Sequence, residues 1–309
     1  MKNKYTVFII GLLLIAVVIG FAYKNSTKNN TSVANKKLQV FGSFYPIYFI
    51  TSQIGGDKAD VRNITPVGVE PHDYEPSTRD IARIENSNML VLNGVVEAWG
   101  DKIKDNLKGT GVKVITAGAG LLTKDITEEG EKIKDPHIWL DPILVKQEVA
   151  NIEDGFEKID PKNTAYFQDN AKKLNANLDK LNTDFKQGLS NCQKKDFITS
   201  HAAFAYLADA YGLRQVSISG LSPDQEPSAK QLVDIVKFAK EHNVKYIFFE
   251  SLVSPKLSET IANEIGAKTL VLDPIEGISD DDIKQGKNYF TVMENNLKNL
   301  QIALGCEPK

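Results

Sequence analysis

The sequence predicts an α/β protein with two lobes, each a mostly parallel sheet with flanking helices, joined by a long rigid helix. From Leu38 to about residue 120, short apolar runs alternate with amphipathic stretches, and the same alternation returns after Cys192. This βαβα pattern is typical of a parallel sheet covered by helices. The stretch between the two regions has helical periodicity and no strand signal, which places the connecting helix there.

The first lobe is placed at residues 38–143. Strands are predicted for LQVFGSF, DVRNITPV, MLVLNG and VKVITAG. Helices are predicted for YPIYFITSQIGG, which ends on glycines, for the stretch that follows the capping residues Ser77 and Thr78, and for EAWGDKIKDNL. The second lobe, at residues 191–309, repeats this alternation with the strands DFITS, RQVSIS, KYIFFE and KTLVLD.

The connecting segment, residues 144–190, is predicted to form two helices. The second runs from about Pro161 to Gly188, and Pro161 suits its first turn. It has no internal proline or glycine and would span roughly 40 Å. One face should be buried, since apolar residues recur there at helical spacing: Leu174, Leu178, Leu181 and Phe185. We therefore expect a rigid connection and little hinge motion between the lobes.

Residues 1–37 are interpreted as an export signal or membrane anchor with a polar tether. A basic start, MKNK, precedes seventeen uncharged residues from Thr6 to Ala22, and a low-complexity polar stretch follows. No cysteine lies near the end of this run, so a lipid anchor is not expected. The body of the protein should then work outside the cytoplasm, at the cell surface or in a periplasm, either secreted or tethered to the membrane.

The charge of the remaining chain excludes one class of partner. The formal net charge is −3, but the first 37 residues hold six lysines and no acids. The rest carries 31 basic against 40 acidic residues. Nucleic acid is therefore not an expected partner, because phosphate binding needs a basic face. The two cysteines, Cys192 and Cys306, are expected to form a disulfide in an exported protein.

Three of the four histidines share a loop context. His72 lies in a proline-flanked loop, VGVEPHDYEPS; His137 lies in DPHIWLDP; and His201 follows the strand DFITS. Ligands of open α/β sheets gather beyond the carboxyl ends of strands. Asp273 also closes a strand, so these four side chains could supply the N₃O donor set that suits tetrahedral zinc. The fourth histidine, His242, is expected to be exposed at a helix end.

Several blocks of the sequence resemble one family. They are GSFYPIYFITSQIGG, PHDYEPS, DPHIWLDP, ITSHAAFAYLADAYGL and VLDPIEG, and they occur in order from Leu38 to the C-terminus. They are similar to the solute-binding proteins of zinc and manganese ABC importers. The resemblance implies two α/β lobes that hold one metal ion in the cleft between them and deliver it to a membrane permease.

Carried over from the family, the four ligands are His72, His137, His201 and Asp273. The third position is histidine in zinc members and glutamate in manganese members, so the resemblance implies Zn²⁺, with Mn²⁺ or iron as the alternative. One departure is the acidic stretch LLTKDITEEGEKIKD, where many zinc members have a histidine-rich loop. We expect a monomer without enzymatic activity; a zinc hydrolase and a surface adhesin are the readings from other classes.

Overall fold

The N-terminal lobe is built on a four-stranded parallel sheet. The computed structural model describes residues 37–307 apart from 129–130 and 224. The strands follow the order β2-β1-β3-β4, and every neighbouring pair is parallel. They are β1 Leu38–Gly42, β2 Ala59–Asn63, β3 Met89–Leu92 and β4 Lys113–Thr116. The helices of this lobe are α1 Tyr45–Gly55, α2 Thr78–Glu85 and α3 Gly100–Asn106.

A β-hairpin follows this lobe in a stretch for which the sequence predicted no strand. Its strands are β5 Asp125–Glu128 and β6 Glu131–Lys134, and they pair antiparallel. Ile126 lies opposite Ile133 in the register, and these are the two isoleucines of a mostly charged segment. Because most residues of the segment are charged, this one pair of isoleucines did not give a strand pattern in the sequence.

Two helices connect the lobes, as the sequence predicted. They are α4 Pro142–Ile159 and α5 Thr164–Gly188. The long helix begins three residues later than expected, because Pro161–Asn163 forms a separate 3-10 turn. The predicted apolar face of α5 is buried, with Leu174, Leu178, Leu181 and Phe185 no more than 3% exposed.

The C-terminal lobe repeats the topology of the first. Its strands follow the order β10-β9-β7-β8, again all parallel, so that β7 and β9 occupy the places of β1 and β3. The strands are β7 Asp196–Thr199, β8 Arg214–Ser217, β9 Tyr246–Phe249 and β10 Lys268–Val271. The helices are α6 Ala205–Ala210, α7 Ala229–Glu241, α8 Lys256–Ile265, α9 Asp280–Lys284 and α10 Tyr289–Leu304.

One apolar core holds the lobes and the connecting helices together. It contains Val40 of β1, Val149 of α4, Leu178 of α5, Phe204 before α6 and Leu272 after β10. Residues Leu38–Lys309 accordingly form one compact unit. The predicted fold class is confirmed, whereas the lobe boundaries at residues 143 and 190 stay a prediction.

The C-terminus is fastened to the start of the second lobe by a disulfide. Cys192 and Cys306 are bonded, as predicted, and close a separation of 114 residues. The predicted signal or anchor at residues 1–37 lies outside the described residues except for Lys37. Within the described ranges, no helix has the length and apolar character needed to cross a membrane.

Candidate metal centre

His72 is presented by a loop that prolines stiffen. Pro71 and Pro76 fix φ at their own positions and disfavour helical backbone before them. The main-chain N–H of His72 donates to Oε1 of Glu70 at 3.1 Å, which ties the loop to itself two residues upstream. The imidazole of His72 is 7% exposed, so the loop carries it into the interior. Glu75 in the same loop is exposed, as expected of a solvated loop charge.

His137 lies between the hairpin and α4 and is completely buried. Its Nδ1 lies 2.8 Å from Oδ1 of Asp135, and the same oxygen accepts the His137 main-chain N–H at 3.0 Å. A carboxylate at Nδ1 fixes the ring so that the lone pair of Nε2 points the other way. Asp135 therefore orients His137, a role that its position in DPHIWLDP did not reveal.

His201 lies just beyond the carboxyl end of β7 and is also completely buried. Its Nδ1 lies 2.6 Å from Oε1 of Glu250, the residue directly after β9. Ser200 donates its hydroxyl to the same carboxylate oxygen. β7 and β9 are adjacent in the sheet, at the point where the chain order changes direction, which is where parallel sheets place their ligand sites. Glu250, like Asp135, orients an imidazole.

The three histidines and Glu276 meet at one point. The Nε2 atoms of His72, His137 and His201 lie 3.2, 3.1 and 3.2 Å from Oε1 of Glu276. The Nε2 atoms of His137 and His201 are 3.4 Å apart, and the four donor atoms all lie within 4.8 Å of one another. A tetrahedral ion with bonds of about 2.0–2.1 Å has ligands about 3.3 Å apart. Four of the six separations therefore match a tetrahedral zinc site.

Asp273 is not one of the four donors that the structure brings together. Its Oδ1 accepts the main-chain N–H of Ile275 at 2.7 Å, and its Oδ2 accepts the hydroxyl of Ser251 at 2.5 Å. Glu276 takes the place expected for it. Both carboxylates belong to the block VLDPIEG, three residues apart in one loop, so the sequence located the loop but did not choose between them. The path of the backbone decides which of the two faces the histidines.

His242 lies outside this cluster, as expected. It follows α7 with an exposed side chain, and its Nδ1 lies 2.9 Å from Oδ2 of Asp196. Its ring stacks on Phe238 with centroids 4.0 Å apart. These contacts belong to the surface of the C-terminal lobe and involve none of the four donors.

The electrostatics of the cluster favour a cation. Burial opposes charge on Glu276, but the adjacent His201 and the hydrogen bonds from the rings hold the pKa of this carboxyl well below its usual range. Burial likewise opposes charge on His137 and His201, yet the carboxylates around them raise the pKa of both rings. The cluster therefore favours positive charge at its centre, and a metal ion bound there would meet one carboxylate and three nitrogen donors.

A further carboxyl adjoins the cluster without pointing to its centre. Burial and the charge of Glu276 raise the pKa of Glu70 to about 9, so this group is neutral at pH 7. A neutral Glu70 leaves the centre with one ligand carboxylate and the two orienting carboxylates, Asp135 and Glu250. Four protein donors equal the number of ligands in a tetrahedral structural zinc site.

The chain matches a family model over most of its length. The family described as "Zinc-uptake complex component A periplasmic", or ZnuA, matches residues 40–303. The high-affinity zinc uptake system protein ZnuA of Bacillus subtilis (strain 168) is 40% identical over 309 residues, which cover 95% of this chain and 97% of that protein.

Two solved structures share the fold. The Zn(II)-bound ZnuA-like domain of Streptococcus pneumoniae AdcA superposes with a TM-score of 0.77 and 40% identity, covering 87% of this chain and 99% of that one. The laminin-binding protein Lmb of Streptococcus agalactiae superposes with a TM-score of 0.78 and 36% identity, covering 86% and 99%. The family model matches residues 40–303, and both the sequence and the fold agree with those of the relatives. The chain therefore belongs to the ZnuA family of zinc-uptake solute-binding proteins.

Proposed function

We propose that this protein binds Zn²⁺ outside the cytoplasm and delivers it to an ABC-type importer in the membrane. The observation that carries the proposal is the buried N₃O cluster of His72, His137, His201 and Glu276, in which four of the six donor separations match a tetrahedral zinc site. The zinc-uptake names of the relatives support the same cargo. Zinc is a borderline ion that accepts imidazole readily, whereas Mn²⁺ prefers oxygen donors.

Extracytoplasmic work and membrane tethering through residues 1–37 belong to this proposal, as does the permease partner. A single chain supplies all four donors, so the proposed working form is a monomer. We also infer that the protein performs no hydrolysis, because a catalytic zinc keeps an open position for water and this donor set fills all four. Esterase or peptidase turnover by the zinc-loaded protein would overturn that inference.

Native mass spectrometry of residues 38–309 with competing Zn²⁺ and Mn²⁺ tests the cargo. One zinc per chain is expected, and His201→Ala and Glu276→Gln should each lose most of the binding. His242→Ala is the matched control. Because His242 lies outside the cluster, this variant should bind zinc as the parent does. Retention of tight zinc binding by His201→Ala, or a preference for manganese, would contradict the proposal.

A second candidate function comes from one relative. Lmb is described as a bifunctional protein with adhesin and metal transporting activity, and it covers 86% of this chain at 36% identity. Adhesion to laminin would then be a surface property separate from transport. Binding of the purified protein to immobilised laminin, compared between parent and His201→Ala, tests this function: an adhesin site independent of zinc predicts equal binding.

A further inference from the structure

The residue directly before Glu276 has an unfavourable backbone conformation. Ile275 has a φ of 61°, in the left-handed region, and its side chain is completely buried. A β-branched residue is a genuine outlier there, because its side chain crowds the backbone. The one other non-glycine residue with positive φ in the described ranges is Asn243, and asparagine tolerates this region. Such strain persists only where the surroundings impose it.

Three polar side chains form hydrogen bonds at this turn. Oδ1 of Asp273 accepts the N–H of Ile275 at 2.7 Å, and Ser251 holds the other carboxylate oxygen at 2.5 Å. Asn296 of α10, only 1% exposed, brackets the main chain of Asp273. Its Oδ1 accepts the Asp273 N–H at 2.9 Å, and its Nδ2 donates to the Asp273 carbonyl at 2.6 Å. Both the side chain and the main chain of Asp273 are thus held by hydrogen bonds.

A third contact ties the turn to the rest of the centre. The indole N–H of Trp139 donates to the carbonyl of Pro274 at 2.7 Å, and the same ring lies 5.1 Å from that of His137, centroid to centroid. Ser251, in turn, is the neighbour of Glu250, which orients His201. The loop that carries Glu276 is therefore built against the segments that carry two of the histidines.

We propose that Asp273 and Asn296 are positioning residues, which hold Ile275 in the left-handed conformation and so aim the Glu276 carboxylate at the three imidazoles. The inference rests on the proposed zinc binding. Without these contacts Ile275 relaxes to negative φ, and the chain direction at Glu276 changes. Only the fraction of molecules that keeps the aligned turn then binds zinc fully, so the apparent affinity falls by that fraction. For the strain of one such residue, the fall is about tenfold.

Conservative substitution separates positioning from ligation. Asp273→Asn keeps an oxygen that can accept the Ile275 N–H, so its zinc dissociation constant should stay within about threefold of the parent value. Asp273→Ala removes the acceptor and should weaken binding about tenfold. Equal losses in both variants would show that the carboxylate charge itself is needed, as for a ligand, and would overturn the proposal. Dissociation constants are measured by competition with a chromophoric zinc chelator.

Asn296→Ala has a matched control on the same helix. Asn299 donates to the carbonyl of Val271 at 2.8 Å, before the turn begins, so Asn299→Ala should leave zinc affinity within about threefold. Asn296→Ala should weaken zinc about tenfold and speed amide hydrogen exchange at residues 272–278 of the zinc-free protein. Unchanged affinity and exchange in Asn296→Ala would overturn the proposal. If Asn296→Ala fails to fold, the comparison of Asp273→Asn with Asp273→Ala decides alone, because Asp273 is not fully buried.

Glycine at position 275 supplies the rescue. Glycine adopts the left-handed region without a steric penalty, so Asn296→Ala should cost much less zinc affinity when it is added to Ile275→Gly than when it is made in the parent. If Asn296→Ala weakens zinc binding as much in the Ile275→Gly protein as in the parent, Asn296 acts through general stability. That result would refute the positioning role. If the parent itself binds no zinc, the proposed function fails. The hydrogen-exchange rates of the zinc-free proteins then still decide whether Asp273 and Asn296 hold Ile275 in its left-handed conformation.

Discussion

Removing the carboxylate behind His137 tests how much the orienting residues contribute to zinc binding. Asp135 is completely buried, and one of its oxygens serves both the ring and the main chain of His137. Its other oxygen has no hydrogen-bond partner. Asp135→Ala therefore frees the ring of His137 to rotate and removes a buried negative charge near the ion. Asp135→Asn keeps an acceptor at Nδ1 and removes only the charge.

The two changes should differ in magnitude. Loss of a hydrogen-bonded partner behind a metal ligand costs about 10–100-fold in metal affinity, which is about 1.4–2.7 kcal/mol. We expect Asp135→Ala to fall in this range, because both orientation and charge are lost. Asp135→Asn should lie at or below its lower end, about tenfold, since the 2.8 Å contact to Nδ1 can still be made.

Isothermal titration in the presence of a competing chelator measures both variants against the parent. Lys146→Ala is a suitable surface control, because its ion pair with Asp179 joins α4 to α5 on the solvent side, and exposed pairs contribute little. Zinc affinity of Asp135→Ala within twofold of the parent value would refute the orienting role. An asparagine variant weaker than the alanine variant would show that the amide turns its NH₂ group to the ring and imposes the wrong tautomer.

Four further predictions concern pH and stability. Because the surrounding carboxylates overcome the effect of burial and raise the pKa of His137 and His201, zinc affinity should fall steeply as pH drops from 7.5 to 5.5, with more than one proton bound per ion released. In the zinc-free protein the same raised pKa values stabilise the fold below pH about 6.5, and this contribution should be lost as pH rises further. Burial, with Glu97 adding to it, raises the pKa of Glu148 from 4.5 to about 8, so Glu148→Gln should remove a stability loss of about 5 kcal/mol that the parent shows between pH 4.5 and 8. Replacing Cys192 and Cys306 by serine should lower the free energy of unfolding by up to about 4–5 kcal/mol, through the entropy of the opened loop.

Each of these has a contrary outcome that denaturant unfolding or titration would reveal. A zinc affinity flat between pH 7.5 and 5.5 would contradict the three-histidine site. A parallel pH dependence of stability in the parent and in Glu148→Gln would show that this carboxyl, which lacks hydrogen-bond partners at both oxygens, does not titrate on unfolding. If the oxidised parent and the serine double variant have equal free energies of unfolding, the disulfide does not stabilise the folded state.

The periodicity of the sequence was enough to predict most elements of the fold. Strands such as β3 Met89–Leu92 are short apolar runs between turn residues, and α2 begins where Ser77 forms a capping box with Asp80. These signals are local, since they depend on residues within about one helical turn. The hairpin β5–β6 was not predicted because Ile126 and Ile133 are the only apolar pair in its register.

What the sequence determined by itself was the fold class, the disulfide pair and the loops that carry the histidines. Only the tertiary structure showed that both lobes share one strand order, and that Asp135 and Glu250 stand behind His137 and His201. It also placed Glu276 rather than Asp273 at the three rings. The physical reason is that a side chain's target depends on the backbone path over a few residues, here the left-handed turn at Ile275, and contacts with Asn296 and Trp139 hold that path from distant parts of the chain.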